Sequence, residues 1–251
     1  LRVSAVACGG RHTLALCTST PVVCVPPSAY AADFELLLSD DGESCADVTV
    51  VLDVDGTMMD LHSVFLARSR VLAAAIEASG DSKVCHVGSS VDKPGFLAVL
   101  KFMYGQEVPP VDSVPAVAAA LGIDGLSGSV SASVSQQLLI EYLTLCLENG
   151  RLCDTVLVSG DGVKVPAHKA VLAARSQVFR RMLCGPFCES AGPGAEVRVP
   201  GCSGSGLQTF VHYIYTDFGD VDSADAIDLL EVADMHMLPG FKALCEKRIS
   251  E

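Results

Sequence analysis

Apolar positions along the chain fall into two series with the same order of spacings. Phe96, Val99, Leu100 and Met103 recur at i, i+3, i+4 and i+7, and Leu207, Phe210, Val211 and Ile214 do so again 111 residues later. Val114, Val117, Ala118 and Leu121 form a second stripe, matched at an offset of 112 by Ala226, Leu229, Leu230 and Ala233. Such spacings put each set on one face of a helix. Upstream, Val48 to Leu52 after Asp47 predicts a strand, and Thr155 to Val158 after Asp154 predicts another, 107 residues on. Each strand runs into an Asp-Gly turn, Asp55-Gly56 or Asp161-Gly162. A histidine follows each turn, His62 or His168, and opens a helix rich in Leu, Ala, Arg and Ser. One order of elements, repeated with a longer loop (Gly185 to Ala195) in the second copy, predicts an α+β chain of two similar domains.

The pattern divides the chain at 1–17, 18–44, 45–126, 127–151 and 152–251. Residues 1–17 predict two short strands about Gly9-Gly10. Residues 18–44 mix Pro, Ser, Thr and acidic groups and read as a linker. Residues 45–126 and 152–251 are the two domains. Between them, the serine-rich stretch 127–135 leads into a helix expected over Gln136 to Asn149, with Ser133 and Gln136 as a capping box and Gly150 as its C-terminal stop.

Composition narrows the function. The 251 residues carry a net charge of −13, and the first 150 alone hold 7 basic against 17 acidic groups. Neither half offers a basic stripe for phosphates or anionic lipid, so no nucleic-acid and no membrane partner is expected. The 11 cysteines are odd in number and contain no CxxC pair. Cys85, Cys146 and Cys245 sit among Val, Leu and Ala as small buried hydrophobes would. Cys184 and Cys188 are too loosely spaced for a zinc knuckle. The expectation is reduced thiols in the cytoplasm or nucleus, with no metal and no cofactor. No apolar run is long enough to span a bilayer. The chain begins at Leu1 rather than Met and reads as an excerpt.

The second copy resembles a BTB (POZ) domain. The stretches that carry the resemblance are Cys153 to Val158, Val165-Pro166-Ala167-His168-Lys169 through Ser176, Val178-Phe179, Phe210 to Thr216 and Leu229 to Leu238. They cover residues 152–249. The first copy is similar over 46–126, but has His62-Ser63 where the family has His-Lys. Residues 3–16, with Val6-Ala7-Cys8-Gly9-Gly10 and His12 to Leu16, look like the end of a chromosome-condensation-regulator-type propeller repeat. The resemblance implies two tandem BTB domains joined by a helical linker behind a propeller remnant. BTB domains bind proteins and many pair with one another, within or between chains. A subset recruits cullin-3 and presents a protein substrate to a ubiquitin ligase, using a hydrophobic–x–Glu motif on the loop before the last strand. Phe187-Cys188-Glu189 lies at that place here; the first copy has only Ala75-Ile76-Glu77. The interface residues so implied are Phe187, Glu189, Asp154, His168, Lys169 and Tyr215. In the family, the aspartate matching Asp47 and Asp154 commonly lies in a charged pocket near the dimer interface.

One rival has enzymatic chemistry. Asp53-Val54-Asp55-Gly56-Thr57, after an apolar strand, resembles the nucleophile motif of haloacid-dehalogenase-type phosphatases, in which one Asp attacks phosphorus and the other serves as acid and base. The second copy has Ser159-Gly160-Asp161-Gly162 at the same place, which reads as a hairpin turn. The nearest later acidic pair, Asp220 and Asp222, lies in the other copy. The expectation is therefore a scaffold that is not an enzyme, with a BTB oligomerisation scaffold lacking a ligase role as a further alternative. A nucleotide-exchange factor is suggested by the propeller remnant alone, and residues 1–17 are too few for a blade. Met235-His236-Met237 could suggest a metal site, but helical spacing predicts Met237 in the core.

Overall fold

The computed structural model describes residues 3–8, 13–17, 23–38, 45–184 and 195–250. Strands β1 (Val3–Cys8) and β2 (Thr13–Cys17) pair antiparallel, as the pattern around Gly9-Gly10 predicts. The stretch 18–44 is not a plain linker. It contains helix α1 (Tyr30–Glu35) and a 3-10 turn at Leu36–Leu38, with Tyr30, Phe34 and Leu37 buried. The short apolar set was masked in the sequence by its Pro- and Ser-rich flanks.

The first unit follows. Its strand β3 (Val48–Leu52) alternates buried and half-buried positions, so Val48, Val50 and Leu52 face inward. After the turn come β4 (Met58–Leu61), the short α2 (Ser63–Leu66) and α3 (Arg70–Ser79). Strand β5 (Val84–Val87) and helices α4 (Lys93–Met103) and α5 (Val114–Ala120) complete the unit. The sheet order is β4-β3-β5, with β3 antiparallel to β4 and parallel to β5.

Helix α6 (Ala132–Glu148) starts four residues before the expected position, with Ser131 rather than Ser133 at its N-cap. Val130 is already paired with Val108, which ends the loop early. The C-terminal stop is as expected. Gly150 has φ +61°, and Gly150 N–H and Arg151 N–H donate to Leu147 O and Cys146 O, closing the last turn in a Schellman arrangement.

The second unit repeats the first. Strands β6 (Thr155–Val158) and β7 (Lys164–Ala167) are followed by α7 (Lys169–Arg175) and α8 (Gln177–Cys184). Then come β8 (Ala195–Arg198), α9 (Gly204–Thr216), α10 (Ala226–Met235) and α11 (Pro239–Ser250). The sheet order is β7-β6-β8 with the same strand directions as in the first unit. Small capping details repeat as well. Ser69 accepts from Leu72 N–H, and Ser176 from Phe179 N–H. Asp92 caps α4 and accepts from Ser113 Oγ; Ser203 caps α9 and donates to Asp225, the same link with donor and acceptor exchanged. The helical stripes read from the sequence are buried in both units, Leu230 alone being partly exposed.

The two units share one continuous apolar core. Their leading helices each bridge the two units. Helix α1 precedes the first unit in sequence yet packs on α7 of the second. Helix α6 precedes the second unit and packs on α4 of the first as well as on α9. Gly105 makes the latter approach possible: its φ is +72°, and a Cβ there would sit 2.9 Å from Leu139 Cδ2. Cys45 and Cys184 form a disulfide, Cα–Cα 5.1 Å, between the entry to β3 and the end of α8. This corrects the expectation of wholly reduced thiols; sequence spacing carries no sign of a pair 139 residues apart. Cys85, Cys146 and Cys245 are buried free thiols as expected. Among the described residues, no helix is long and apolar enough to cross a membrane.

Candidate interaction interface

The centre of each unit is a buried histidine at the strand-to-helix junction. Extended backbone at His168 (φ −108°, ψ 124°) turns the chain from β7 into α7 and aims the imidazole inward. Tyr215 on α9 lies against it. The Tyr215 hydroxyl accepts from His168 N–H at 2.9 Å and lies 2.7 Å from His168 Nδ1. Arg151 O can only accept, so the ring carries its proton on Nε2 and Nδ1 accepts the phenolic proton of Tyr215. Nε2–H then donates to Arg151 O at 2.8 Å. His62 and Tyr104 repeat the network at 3.2 and 2.9 Å, but His62 Nε2 finds no partner among the described residues. Burial pushes His62 down to about 4 and lowers His168. Both imidazoles are therefore neutral at pH 7.

Asp47 and Asp154 hold the helices that follow these histidines. Asp47 accepts from Ser63 N–H at 2.7 Å and from Ser63 Oγ; Asp154 accepts from Lys169 N–H at 2.8 Å. A carboxylate at a helix N-terminus meets donors that the helix leaves unpaired. Burial raises the pKa of Asp154, the Lys169 backbone N–H lowers it, and the Asp47 charge raises it again. Asp47 and Asp154 face each other across a cavity of about 10 Å³, lined also by His62, His168, Cys45 and Leu152. The cavity is lined by residues of both units.

Arg175, its side chain only 3% exposed, ties helix α1 into the second unit. Its guanidinium pairs with Asp33 of α1 and with Asp217, and Nε donates to Ile214 O at 3.1 Å. The plane lies 5.0 Å from the Tyr30 ring, whose hydroxyl donates to Tyr215 O at 2.7 Å. Phe34 meets Phe65 of the first unit edge-on at 5.5 Å, and Gln106 donates to Ala31 O. Helix α1 is thus seated on both units at once. The counterpart Arg68 donates to Phe102 O and Met103 O at 2.7 and 2.8 Å. Gln106 and Leu145 stand at the positions that Asp217 and Asp33 hold around Arg175. Burial lowers Arg68 to about 10.

Three comparisons with known proteins bear on this geometry. The BTB/POZ domain family model matches residues 143–251. Residues 143–251 carry a BTB/POZ domain. The chain is 34% identical over 98 residues to a BTB/POZ domain-containing protein of Arabidopsis thaliana, covering 38% of this chain and 40% of that protein. It is 31% identical over 99 residues to Kelch-like protein 38 of Rattus norvegicus, covering 39% and 17%. Kelch-like protein 21 of Rattus norvegicus is 36% identical over 107 residues, covering 43% and 18%. The chain thus spans well under half the length of these relatives. Among solved structures, the BTB domain of zebrafish PATZ1 aligns with 47% of this chain and 92% of its own, at 25% identity and a TM-score of 0.39.

The domain's geometry places the residues expected at an interface as follows. His168 and Tyr215 are buried and serve the internal network, so neither side chain is offered to a separate protein; the His-Lys signature reports a core histidine. Asp154 caps α7 at the junction between units, and Lys169 begins that helix, half-buried. Phe187 and Glu189 lie outside the described residues. Ile76 is buried, which removes Ala75-Ile76-Glu77 as an anchor. Asp53 and Asp55 sit on the β3–β4 turn. Asp55 accepts from Thr57 N–H at 2.9 Å, an Asx turn, and Asp53 lies 3.0 Å from His86 Nδ1. Among the described residues, no three His, Cys, Asp or Glu converge as metal ligands would. Met237 is 62% exposed, against expectation. Helix α10 ends at Met235, and Met237 takes φ +55°, which turns its side chain outward. His236 goes inward instead and stacks on Phe179 at 4.2 Å.

Sequence reasoning missed Tyr30, Asp33, Phe34 and the pairing role of Arg175. A signal was present: Tyr30 and Tyr142 lie 112 apart, the offset of the α5 and α10 stripes, which marks α1 and α6 as a repeated leading helix.

Proposed function

We propose that the chain is a protein-interaction scaffold in which residues 45–126 are a second, diverged BTB unit paired inside one chain with the BTB/POZ domain. The observation that carries this reading is the pair of leading helices that bridge the two units over one continuous core. The same sheet order in both units supports it. The antiparallel pairing of β1 with β2 is in keeping with a propeller remnant. Cytoplasmic or nuclear residence remains part of the proposal.

The scaffold acts as a substrate adaptor that recruits cullin-3. What supports this is the sequence Phe187-Cys188-Glu189 in the long α8–β8 connection, together with the similarity to Kelch-like proteins. An aromatic anchor that fills a partner's pocket contributes about 2 kcal/mol or more, roughly a 30-fold change in affinity. A rim carboxylate contributes less, mainly to association rate. Calorimetry with the N-terminal region of cullin-3 tests the proposal. Phe187→Ala weakens binding strongly, Glu189→Ala modestly, and Val71→Ala, on an exposed face of α3, not at all. Equal affinity for the wild type and Phe187→Ala, or no binding by either, removes the ligase role and leaves a paired BTB scaffold.

A further inference from the structure

We propose that the outer edge of β4 is a docking site for an extended segment of another protein, apolar at alternate positions and bearing carboxylates, which adds to the first unit's sheet as a further strand. The site stands whether or not the chain recruits cullin-3.

Strand β4 is the outer strand in the order β4-β3-β5. Leu52 N–H donates to Thr57 O and Asp47 N–H to Leu61 O, and such bonds recur at every second residue of an antiparallel pair. Thr57, Met59 and Leu61 therefore face β3, while Met58 and Asp60 turn their backbone N–H and C=O groups outward. Among the described residues those groups meet no partner. A cleft of about 860 Å³ lies against this strand, lined by every residue from Met58 to Leu61. Consecutive side chains of a strand point to opposite faces, so a cleft that touches all of them reaches the edge itself. The volume falls in the range of roughly 300–1,000 Å³ usual for clefts that seat ligands.

The lining sets the chemistry of the occupant. Met58 is 66% and Leu97 of α4 42% exposed, so the cleft opens apolar surface to solvent. Its two carboxylates are engaged within the unit, Asp47 by Ser63 and Asp60 by Thr49 Oγ1 at 2.7 Å. Its two ammonium groups, Lys83 and Lys101, meet no carboxylate among the described residues. A segment with apolar and acidic side chains matches both features, and its main chain takes up the outward N–H and C=O groups. The second unit is a control built into the chain. Lys164 and Pro166 precede His168 as Met58 and Asp60 precede His62. Ser159 N–H donates to Val163 O, so Pro166 stands at an outward position of β7, where it offers no N–H. Lys164 pairs with Glu196, and Gln208 stands where the first unit has Leu97. The edge of β7 is closed to an added strand and the edge of β4 is open.

A library of random short peptides displayed on phage and selected on the full chain supplies the probe. The selected peptides should alternate apolar residues with Asp or Glu. In fluorescence anisotropy, a synthetic copy of the leading peptide should bind Asp60→Pro about ten-fold more weakly than the wild type, because the outward donor is gone. Methylating the peptide's own backbone nitrogens should cost as much with no change to the protein. Lys83→Glu with Lys101→Glu should cost roughly five-fold, a loss that salt reduces. Selection of no peptide, of peptides rich in Lys and Arg, or of peptides that bind Asp60→Pro as well as the wild type overturns the proposal. Light scattering that shows a doubled mass, restored to 26.2 kDa by Asp60→Pro, gives the edge to a second copy and overturns it too. If Asp60→Pro fails to fold, Met58→Lys with Leu97→Gln, which brings the second unit's residues into the first, and the methylated peptide decide in its place.

Discussion

Replacing Arg175 with alanine removes the cation between Asp33 and Asp217 and leaves both carboxylates against the core. Their side chains are 22% and 18% exposed, and that of Arg175 is 3% exposed, so solvent screens the loss little. Removing one partner of a buried ion pair costs about 3–5 kcal/mol, mostly for the charge left behind. Ile214 O loses its Arg175 donor and the Tyr30 ring loses its cation, so the upper part of that range is expected. Urea unfolding followed by circular dichroism measures it. Adding Asp33→Asn and Asp217→Asn to Arg175→Ala should recover at least about 1 kcal/mol, since the stranded charges are then gone. The deficit also depends on pH. Burial already raises the Asp33 pKa, and the Arg175 charge is the largest influence opposing it. Without that charge the folded-state pKa rises further, so the folded variant takes up a proton more readily than the unfolded chain and its deficit narrows as pH falls towards 4. A loss below about 1 kcal/mol at pH 7, the worth of an exposed pair, would refute the view that this triad seats α1.

Three further outcomes are expected. His62 and His236 are both held at about 4 by burial, below the ordinary 6.5. The unfolded chain therefore binds protons that the folded chain refuses, and stability falls as pH drops from 6.5 towards 4, by about 3 kcal/mol for each histidine; His236→Phe should flatten that slope in a urea series, and an unchanged slope would dismiss His236 as a contributor. The Cys45–Cys184 link closes a loop of 139 residues, and chain entropy puts its contribution at no more than about 5 kcal/mol; Cys45→Ser should lower the melting temperature without reductant and match the wild type with it, whereas identical melting in both conditions would show that the pair does not form. Asp53→Asn should leave magnesium-dependent phosphate-ester hydrolysis at background, as in the wild type, because Asp55 is engaged in its own turn; a wild-type rate that the substitution abolishes would bring back the phosphatase.

Local order was legible from the residues alone. The stripe Phe96, Val99, Leu100, Met103 and its counterpart Leu207, Phe210, Val211, Ile214 are buried because a helix of 3.6 residues per turn puts such positions on one side whatever they pack against. The alternation in Val48 to Leu52, the turns at Asp55-Gly56 and Asp161-Gly162, and the stop at Gly150 depend on near neighbours in the same way. The repeat multiplied that legibility, since each element could be read twice. Tertiary structure decided what faces what. Tyr30 and Phe34 appear in the sequence as two aromatics in a Pro- and Ser-rich stretch. Their burial depends on Arg175 and Tyr215 in the second unit and Phe65 in the first, and no local period encodes such partners. Cys45 meets Cys184 for the same reason. Met237 shows the converse: its spacing places it on the buried face, but the helix ends two residues earlier and a left-handed φ turns it to solvent. Periodicity reports that a face is covered; only the docking of distant segments, each held by contacts far apart in sequence, determines that the covering element is the chain's own other half.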